Sequence, residues 1–150
     1  MVDGAPSIHA SCVAIDGQGV LIRGPSGAGK STLALRLILD APRALPPAEL
    51  VADDRVLLTV EAGELVARPV PQLAGLVELH GVGIRRMAHR DFVALRHVVD
   101  LAAPDALRMP LRSARRIVIQ GIELERIPLA DAALAPLVLA CILRSRDHED

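Results

Sequence analysis

Aromatic residues are almost absent from this sequence: its 150 residues include one Phe and no Tyr or Trp. Proteins that bind single-stranded nucleic acid usually stack the bases on aromatic side chains, so the composition argues against that class. The apolar residues, 51% of the chain, are nearly all aliphatic. They are sufficient for one hydrophobic core, and we predict a single domain over residues 1–150.

Cysteine, net charge and long apolar runs are also scarce. Cys12 and Cys141 are far apart in sequence, which indicates neither a disulfide framework nor a cysteine metal site and fits a reducing compartment. The formal net charge of −1 gives no field that would attract nucleic acid or membranes. The N-terminus lacks a signal-peptide pattern, and the longest apolar run, residues 132–143, is too short to span a bilayer. We therefore predict a cytoplasmic protein with no nucleic-acid or membrane partner.

Lysine occurs once, as Lys30, among 17 basic residues. An arginine bias is typical of GC-rich genomes, but a compact ammonium and a planar guanidinium are not interchangeable. Lys30 lies in a match to the phosphate-loop pattern G-x-x-x-x-G-K-[ST], residues 24–31. The glycines let backbone N–H groups approach phosphate oxygens, Lys30 reaches the β- and γ-phosphates, and Ser31 can ligate Mg²⁺. The predicted ATP-binding residues are Gly24, Pro25, Ser26, Gly27, Ala28, Gly29, Lys30, Ser31 and Thr32.

The rest of the pattern predicts a mixed α/β domain with a largely antiparallel sheet, in which a hairpin leads into the phosphate loop. A stretch with three glycines, 72–87, is expected to be mostly loop with a short helical or strand piece, and the tail 146–150 to be frayed. The predicted regular elements are strands 12–15 and 20–22, helix 30–40, strands 50–60, 65–70 and 92–101, strand 115–127 interrupted at Gly121, and a helix 132–145 capped by Asp131.

The predicted hairpin brings His9 towards the phosphate loop. If Gly17-Gln18 is the two-residue turn, Val13 faces Ile22 and His9 faces Ser26. An imidazole in that position can bond phosphate or nearby carboxylates. A histidine close to a chain terminus is also commonly a surface residue, and the sequence leaves both interpretations open.

Three carboxylates follow apolar segments. Asp53 and Asp54 end the run 50–54, and successive strand residues point to opposite faces, so one can hold Mg²⁺ while the other accepts a proton. The alternative is a pair of solvated acids at an ordinary loop entry. Glu78 lies within the apolar stretch 76–84 and requires either a partner cation or an exposed face.

A basic stretch runs from His80 to Arg116, with eight arginines against three acids. Such a stretch can balance phosphates or meet an acidic partner. It can equally be a solvated face, and the sequence does not decide between these.

Taken together, these segments resemble the catalytic domain of the HPr kinase/phosphorylase family. The match is ordered along the chain and covers most of it. The matching segments are Ser7–Ser11 with the family's histidine, the phosphate loop 24–31, the acidic segment Leu50–Val56, the signature L-E-x-R-G-x-G-I at Leu76–Ile84, and the later segment from Val99 through Arg108-Met109-Pro110 with a functional arginine.

The resemblance implies transfer of the γ-phosphoryl group of ATP, with Mg²⁺, to a serine of HPr, a small phosphocarrier protein of phosphotransferase systems. It implies the P-loop kinase fold of the HPr kinase and PEP carboxykinase type, and a homo-oligomer, since family members form hexamers. The implied roles are general base for Asp54 with Asp53 beside it, assistance to that base for His9, phosphate clamp for Lys30, Mg²⁺ ligation for Ser31 and Glu78, and the functional arginine for Arg108.

Three departures from the family pattern stand out. The N-terminal domain of long members is not part of this sequence, as in the short α-proteobacterial form. The signature arginine is His80 here. The family loop P-V-R-T-G-R aligns near residues 127–132, where neither arginine is present, so weak phosphorylase activity is expected.

Two other functions also fit a phosphate loop. A small-molecule P-loop kinase would use the same loop but usually carries an arginine-rich lid and a specific acceptor pocket. A non-catalytic module that senses ATP would not need the set Lys30, Ser31 and Asp54 intact. Phosphotransfer to HPr, to a metabolite, or to no acceptor distinguishes the three.

Overall fold

The structure is a computed structural model that describes residues 6–148. Eleven strands and two α-helices form within this range, with short 3₁₀ helices at Pro71–Leu73, Arg112–Arg115 and Ala132–Leu134. The strands and helices are β1 Ser7–His9, β2 Ser11–Ile15, β3 Gln18–Arg23, α1 Lys30–Leu39, β4 Ala48–Ala52, β5 Arg55–Glu61, β6 Glu64–Pro69, β7 Leu76–Leu79, β8 Gly83–Arg86, β9 Val93–Leu101, β10 Arg116–Ile119, β11 Ile122–Leu129 and α2 Ala135–Arg144.

Nine strands form one mixed sheet in the order β1-β5-β6-β9-β3-β2-β4, with the β10–β11 hairpin joined to β9 through β11. The pairs β3–β9 and β9–β11 are parallel, and the other pairs of this sheet are antiparallel. Strands β7 and β8 form a separate antiparallel pair. The predicted fold class is confirmed, since a hairpin, β2–β3, feeds the phosphate loop within a largely antiparallel sheet.

Two hydrophobic clusters lie on opposite faces of this sheet. Alternate residues of β2 divide between them: Cys12 and Ala14 enter one cluster, and Val13 and Ile15 the other. Both helices pack on the face that contains Val13, so α1 has a fixed position relative to β3 and the loop between them. Among residues 6–148, no helix is long and apolar enough to cross a membrane.

The turn of the first hairpin is Asp16-Gly17, not Gly17-Gln18. Both residues have positive φ, 53° and 77°, as a tight two-residue hairpin turn requires, and Asp-Gly tolerates this better than Gly-Gln. Val13 therefore pairs with Val20. The predicted pairing of Val13 with Ile22 and of His9 with Ser26 was wrong.

The predicted strand 50–60 is divided at the acidic pair. β4 ends at Ala52 and β5 begins at Arg55, and Asp54 between them has a φ of +68°, outside the range of a strand. β4 pairs with β2, whereas β5 pairs with β1 and β6. The two carboxylates thus lie where the chain passes from one part of the sheet to another.

Two other regions differ from the sequence prediction. Residues 72–87, predicted to be mostly loop, contain the β7–β8 hairpin. The predicted strand 115–127 is a hairpin, β10–β11, because Gln120-Gly121 forms a positive-φ turn where a glycine interruption was expected. Short strands around a glycine-containing turn resemble a single interrupted strand in the sequence.

The C-terminal region agrees more closely with its prediction. Asp131 caps the first turn by accepting a hydrogen bond from the Ala133 N–H at 2.9 Å, and a 3₁₀ turn precedes α2. α2 ends at Arg144. Of the predicted frayed tail, residues 149–150 lie outside the described range, while Asp147 accepts a hydrogen bond from Arg115.

An ion cluster formed by Arg23, Asp100, Asp105 and Arg126 joins the ends of β3 and β9 to the middle of β11. The Asp100 side chain, 10% exposed, accepts hydrogen bonds from both arginines. Burial opposes the negative charge on Asp100, but the hydrogen bonds from Arg23 and Arg126 outweigh it, so the pKa of this carboxyl lies below its usual value.

Replacing Asp100 with asparagine should lower the free energy of unfolding at neutral pH by about 3 kcal/mol, because two arginines lose their buried carboxylate. Since the folded-state pKa is depressed, the contribution of the carboxylate is present above its usual pKa of 3.8 and is lost as the pH falls through the lower folded value. Urea unfolding measured at neutral pH and at successively lower pH tests this. The difference between wild type and Asp100→Asn should narrow in acid; a constant difference would contradict it.

Candidate active site

The phosphate loop spans the turn between β3 and α1. Gly27 and Gly29 adopt positive φ, 83° and 96°, which side chains other than glycine rarely tolerate. Gly29 is also the N-cap of α1, and no side chain caps that helix. The N–H groups of the first turn therefore face the loop together with the positive end of the helix, an arrangement that binds phosphate.

Lys30 is buried beneath this loop. Its side-chain ammonium donates to the carbonyl oxygens of Gly24 and Pro25 at 2.8 and 3.1 Å, and the residue is 7% exposed. The ammonium thus lies at the inner edge of the loop, within reach of an anion bound by the loop amides. The role of phosphate clamp for the single lysine stays a prediction.

Gly24 permits the close approach of the phosphate loop to β9. A Cβ atom at Gly24 would lie 3.1 Å from the Leu101 carbonyl oxygen and 3.1 Å from the Ala28 Cβ, tighter than most real contacts of that kind. Any side chain at Gly24 would therefore displace the loop from the sheet. The first glycine of the motif is required for packing rather than for a positive φ.

Asp53 is directed towards the phosphate loop. Its Oδ1 accepts hydrogen bonds from the Ser31 hydroxyl at 2.7 Å and from the Ser11 hydroxyl at 2.8 Å. Asp53 is 7% exposed and Ser11 is fully buried. Ser11 was not among the predicted site residues, and the signal that could have identified it is a hydroxyl in a strand whose five residues are all buried.

Asp54 points away from Asp53 and towards solvent. Its carboxylate Oδ1 lies 2.8 Å from Nε2 of His9, and the side chains of Asp54 and His9 are 63% and 43% exposed. The pairing of β1 with β5, in which His9 is opposite Arg55, brings the imidazole there. His9 is therefore beside the acidic pair, although not through the predicted hairpin register.

A cleft of about 270 Å³ joins these groups. It brings together five of the predicted site residues and adds three others. Its lining consists of Ser31, Thr32, Leu35, Asp53, Asp54, Glu78, Leu79 and His80. The β7–β8 hairpin, which the sequence did not predict, is the element that carries Glu78 and His80 to the acidic pair.

Arg108 is not part of this cleft. It is exposed on the segment between β9 and β10 and does not contribute to the lining. A second, larger cleft of about 870 Å³ lies at the opposite end of β3, near Gly17 and Gly63, and contains none of the predicted site residues.

The donor set of the smaller cleft fits Mg²⁺. The Ser31 hydroxyl and the Asp53 carboxylate are in contact, and Glu78 lines the same space. Mg²⁺ prefers oxygen ligands and is usually held by one or two protein groups together with phosphate oxygens and water. Residues 6–148 contain no group of three or more His, Cys, Asp or Glu side chains that could hold a metal without such partners.

Comparison with known proteins finds similarity to HPr kinases. The family model described as the HPr Serine kinase C-terminal domain matches residues 4–90. An HPr kinase/phosphorylase of Streptococcus thermophilus is 46% identical over 79 residues, covering 52% of this chain and 24% of that protein. One from Geobacillus kaustophilus is 33% identical over 141 residues, covering 89% of this chain and 41% of that protein.

A solved structure agrees over nearly the whole chain. The Hpr(Ser) kinase/phosphatase from Coxiella burnetii superposes with a TM-score of 0.73 at 29% identity, covering 93% of this chain and 94% of that one. The chain spans between 22% and 41% of the length of the curated relatives it matches.

Proposed function

Because this chain belongs to the HPr serine kinase C-terminal domain family, we propose that it transfers the γ-phosphoryl group of ATP to a serine hydroxyl of an HPr-type phosphocarrier protein. The observation that carries the proposal is the different pairing of two adjacent carboxylates. Asp53 bonds to Ser31 of the phosphate loop, whereas Asp54 bonds to His9 and is open to solvent. One acid therefore belongs to the nucleotide side of the cleft and the other to the acceptor side.

The residues divide the reaction as follows. Lys30 and the loop amides bind the phosphates, and Ser31, Glu78 and Asp53 would hold Mg²⁺, which supplies positive charge to the transferring group. Asp54 accepts the proton of the serine hydroxyl as the new oxygen–phosphorus bond forms and the bond to the β-phosphate breaks. His9 holds the Asp54 carboxylate in one orientation.

The surroundings of Asp54 favour a protein acceptor. With 63% of its side chain exposed, a serine on the surface of another protein can reach it without entering a closed pocket. The neighbouring β8 strand is exposed at every residue, and Val82 and Ile84 are 66% and 70% exposed beside the cleft. A small-molecule kinase would instead enclose its acceptor. Arg108, on a separate exposed segment, is proposed to act towards the acceptor protein.

The test is a phosphotransfer assay with labelled ATP, Mg²⁺ and a purified HPr-type protein, using as control the same protein with its acceptor serine replaced by alanine. Transfer to the serine and not to the control is expected. Transfer to members of a metabolite panel would instead identify a small-molecule kinase. ATP binding without transfer to any acceptor would identify a sensing module.

His9→Ala should lower turnover by roughly a hundredfold, the lower end of the effect of general acid–base groups, and leave ATP affinity unchanged. The reason is that the imidazole bonds to Asp54, on the acceptor side. Steady-state kinetics with ATP and acceptor varied separately measures both quantities, with His148→Ala as a control at an exposed histidine. Equal losses in turnover and ATP affinity would argue that His9 acts on the nucleotide.

Phosphorolysis, in which inorganic phosphate removes the group from phosphoserine and yields pyrophosphate, should be at least tenfold slower than the forward reaction. It requires extra fixed cations for a second phosphate, and segment 127–132 supplies none. That segment borders the phosphate loop, since a Cβ atom at Gly29 would lie 3.8 Å from the Ala132 Cβ. Pyrophosphate release from phosphoserine-HPr at millimolar phosphate measures this. Comparable rates in both directions would show that other arginines substitute.

We further propose that the protein acts in the cytoplasm as a homo-oligomer, a hexamer by family resemblance. Free Cys12 and Cys141 suit a reducing compartment. Exposed apolar side chains are available for subunit contacts, among them Leu137 at 65% and Met109 at 78%. Light scattering coupled to size exclusion gives the subunit number.

A further inference from the structure

The ion cluster defined above connects the root of the phosphate loop to β9. Arg23, the last residue before Gly24, donates from Nε to Oδ1 of Asp100 at 2.7 Å and from Nη2 to Oδ2 at 2.8 Å. This bidentate geometry fixes the orientation of the Arg23 guanidinium as well as its distance from the Asp100 carboxylate. Because β3 and β9 pair in parallel with Arg23 opposite Asp100, the two strands end side by side.

Asp100 also binds an arginine from the other side of β9. Arg126 of β11 donates from Nε to Oδ2 of Asp100 at 2.6 Å. The side chains of Asp100 and Arg126 are 10% and 14% exposed, so solvent screens this contact only weakly. One buried carboxylate thus accepts hydrogen bonds from guanidinium groups of β3 and β11, the strands on either side of β9 at this position.

Arg126 extends the connection to the 102–115 segment, the stretch between β9 and β10. Its Nη1 and Nη2 donate to the two carboxylate oxygens of Asp105 at 2.8 and 3.0 Å, and Nη1 also donates to the Ala114 carbonyl at 2.9 Å. Asp105 lies near the start of this segment and Ala114 near its end. The guanidinium of Arg126 therefore bonds to both ends of the 102–115 segment, and Arg108 lies between those ends.

We propose that Asp100 and Arg126 are positioning residues that couple nucleotide binding at the phosphate loop to the order of the 102–115 segment. An anion bound by the loop reduces the mobility of Arg23, and Arg23 in turn reduces the mobility of the Asp100 carboxylate. Because Arg126 bonds to both Asp100 and Asp105, Asp105 is also held more firmly. The close approach of Gly24 to Leu101, the last residue before the segment, supports the coupling, since a Cβ atom at Gly24 would lie only 3.1 Å from the Leu101 carbonyl oxygen. The inference rests on the proposed function only for the role of Arg108 towards the acceptor.

The coupling operates in both directions because linkage between two sites is reciprocal. A segment ordered by a bound acceptor protein would hold Arg126 and Asp100, and with them the root of the phosphate loop. Nucleotide and acceptor should then each strengthen the binding of the other. An ion cluster with only a structural role would stabilise the fold without coupling nucleotide binding to acceptor binding.

Hydrogen exchange of the full chain, with and without Mg²⁺ and a non-hydrolysable ATP analogue, separates coupling from simple stabilisation. In the wild type, the analogue should slow exchange in peptides covering residues 24–31 and also in the 102–115 segment. In Arg126→Lys, which keeps the charge but loses the planar fork, slowing at 24–31 should persist while slowing at 102–115 falls by about tenfold, the usual size of a coupling between sites. Arg68→Lys is the matched control, because Arg68, with 28% of its side chain exposed, pairs with Glu61 within the β5–β6 hairpin; it should leave both responses unchanged.

A second variant removes only the outermost link. Asp105→Asn affects a half-exposed carboxylate, so it should fold normally. It should raise KM for the acceptor protein about tenfold and leave ATP affinity within about twofold. Loss of both affinities together would indicate a structural role only.

The outcomes separate this inference from the proposed function. If the analogue fails to protect 102–115 in the wild type, or still protects it in Arg126→Lys, the coupling is refuted. If the exchange pattern is as expected but no acceptor is phosphorylated, the coupling stands and the proposed function fails.

Discussion

Lys30→Ala should remove nearly all phosphotransfer and weaken ATP binding by roughly a hundredfold, the scale of losing charge-assisted hydrogen bonds worth about 3 kcal/mol. Turnover should fall by about a thousandfold, because the ammonium also stabilises negative charge on the transferring group. Alanine is the best helix former, and Lys30 is the first residue of α1, so the fold should persist. Calorimetric titration measures the affinity for ATP. Thermal unfolding of the same preparation measures whether the fold persists.

The matched variant is Lys30→Arg. The side chain is 7% exposed and donates to two loop carbonyls, so the larger planar group has no space to repeat that geometry. It should retain the charge yet bind ATP nearly as weakly as alanine does. A well-folded Lys30→Ala protein with unchanged ATP affinity would falsify the assignment of the phosphate loop.

Asp54→Asn should reduce turnover by roughly a hundredfold or more and leave ATP affinity within a few-fold. An amide cannot take the serine proton, while the exposed side chain makes no hydrogen bond to the phosphate loop. A quenched time course of phosphotransfer at saturating ATP measures turnover, and equilibrium binding of ATP measures its affinity.

Asp53→Asn provides the contrast at the neighbouring position. Asp53 accepts hydrogen bonds from Ser31 and Ser11, so its loss should raise the Mg²⁺ concentration required for half-maximal activity and disturb the buried contact beneath the loop. Titration of activity with Mg²⁺ distinguishes the two mutants. If Asp54→Asn shifts the Mg²⁺ requirement and Asp53→Asn leaves it unchanged, the proposed roles are exchanged.

Much of the candidate site could be predicted because its parts are local in sequence. The phosphate loop is eight consecutive residues, of which Gly27 and Gly29 adopt positive φ and Gly24 permits close packing against β9. The helix that comes next also follows from periodicity within a short window, whereas the break of the predicted strand 50–60 at the acidic pair does not. The roles assigned to individual side chains remain predictions.

The parts that could not be predicted depend on pairing between distant strands. His9 and Asp54 are 45 positions apart in the chain and meet because β1 pairs with β5. No local sequence pattern encodes the register of that pairing. The incorrect hairpin register arose from choosing Gly17-Gln18 for the turn instead of Asp16-Gly17, a difference that positive φ at both turn residues decides.

By itself, the sequence determined an aliphatic core, a phosphate loop on a hairpin-fed helix, and two acids after a strand, because each follows from local conformational preference and burial. Only the tertiary structure decided that Asp53 bonds to Ser31 and Asp54 to His9, that the β7–β8 hairpin lines the cleft, and that Asp100 bonds to both Arg23 and Arg126. These are contacts between residues far apart in the chain. Their geometry depends on how the strands register and twist against one another, which the side chains of any one segment do not specify.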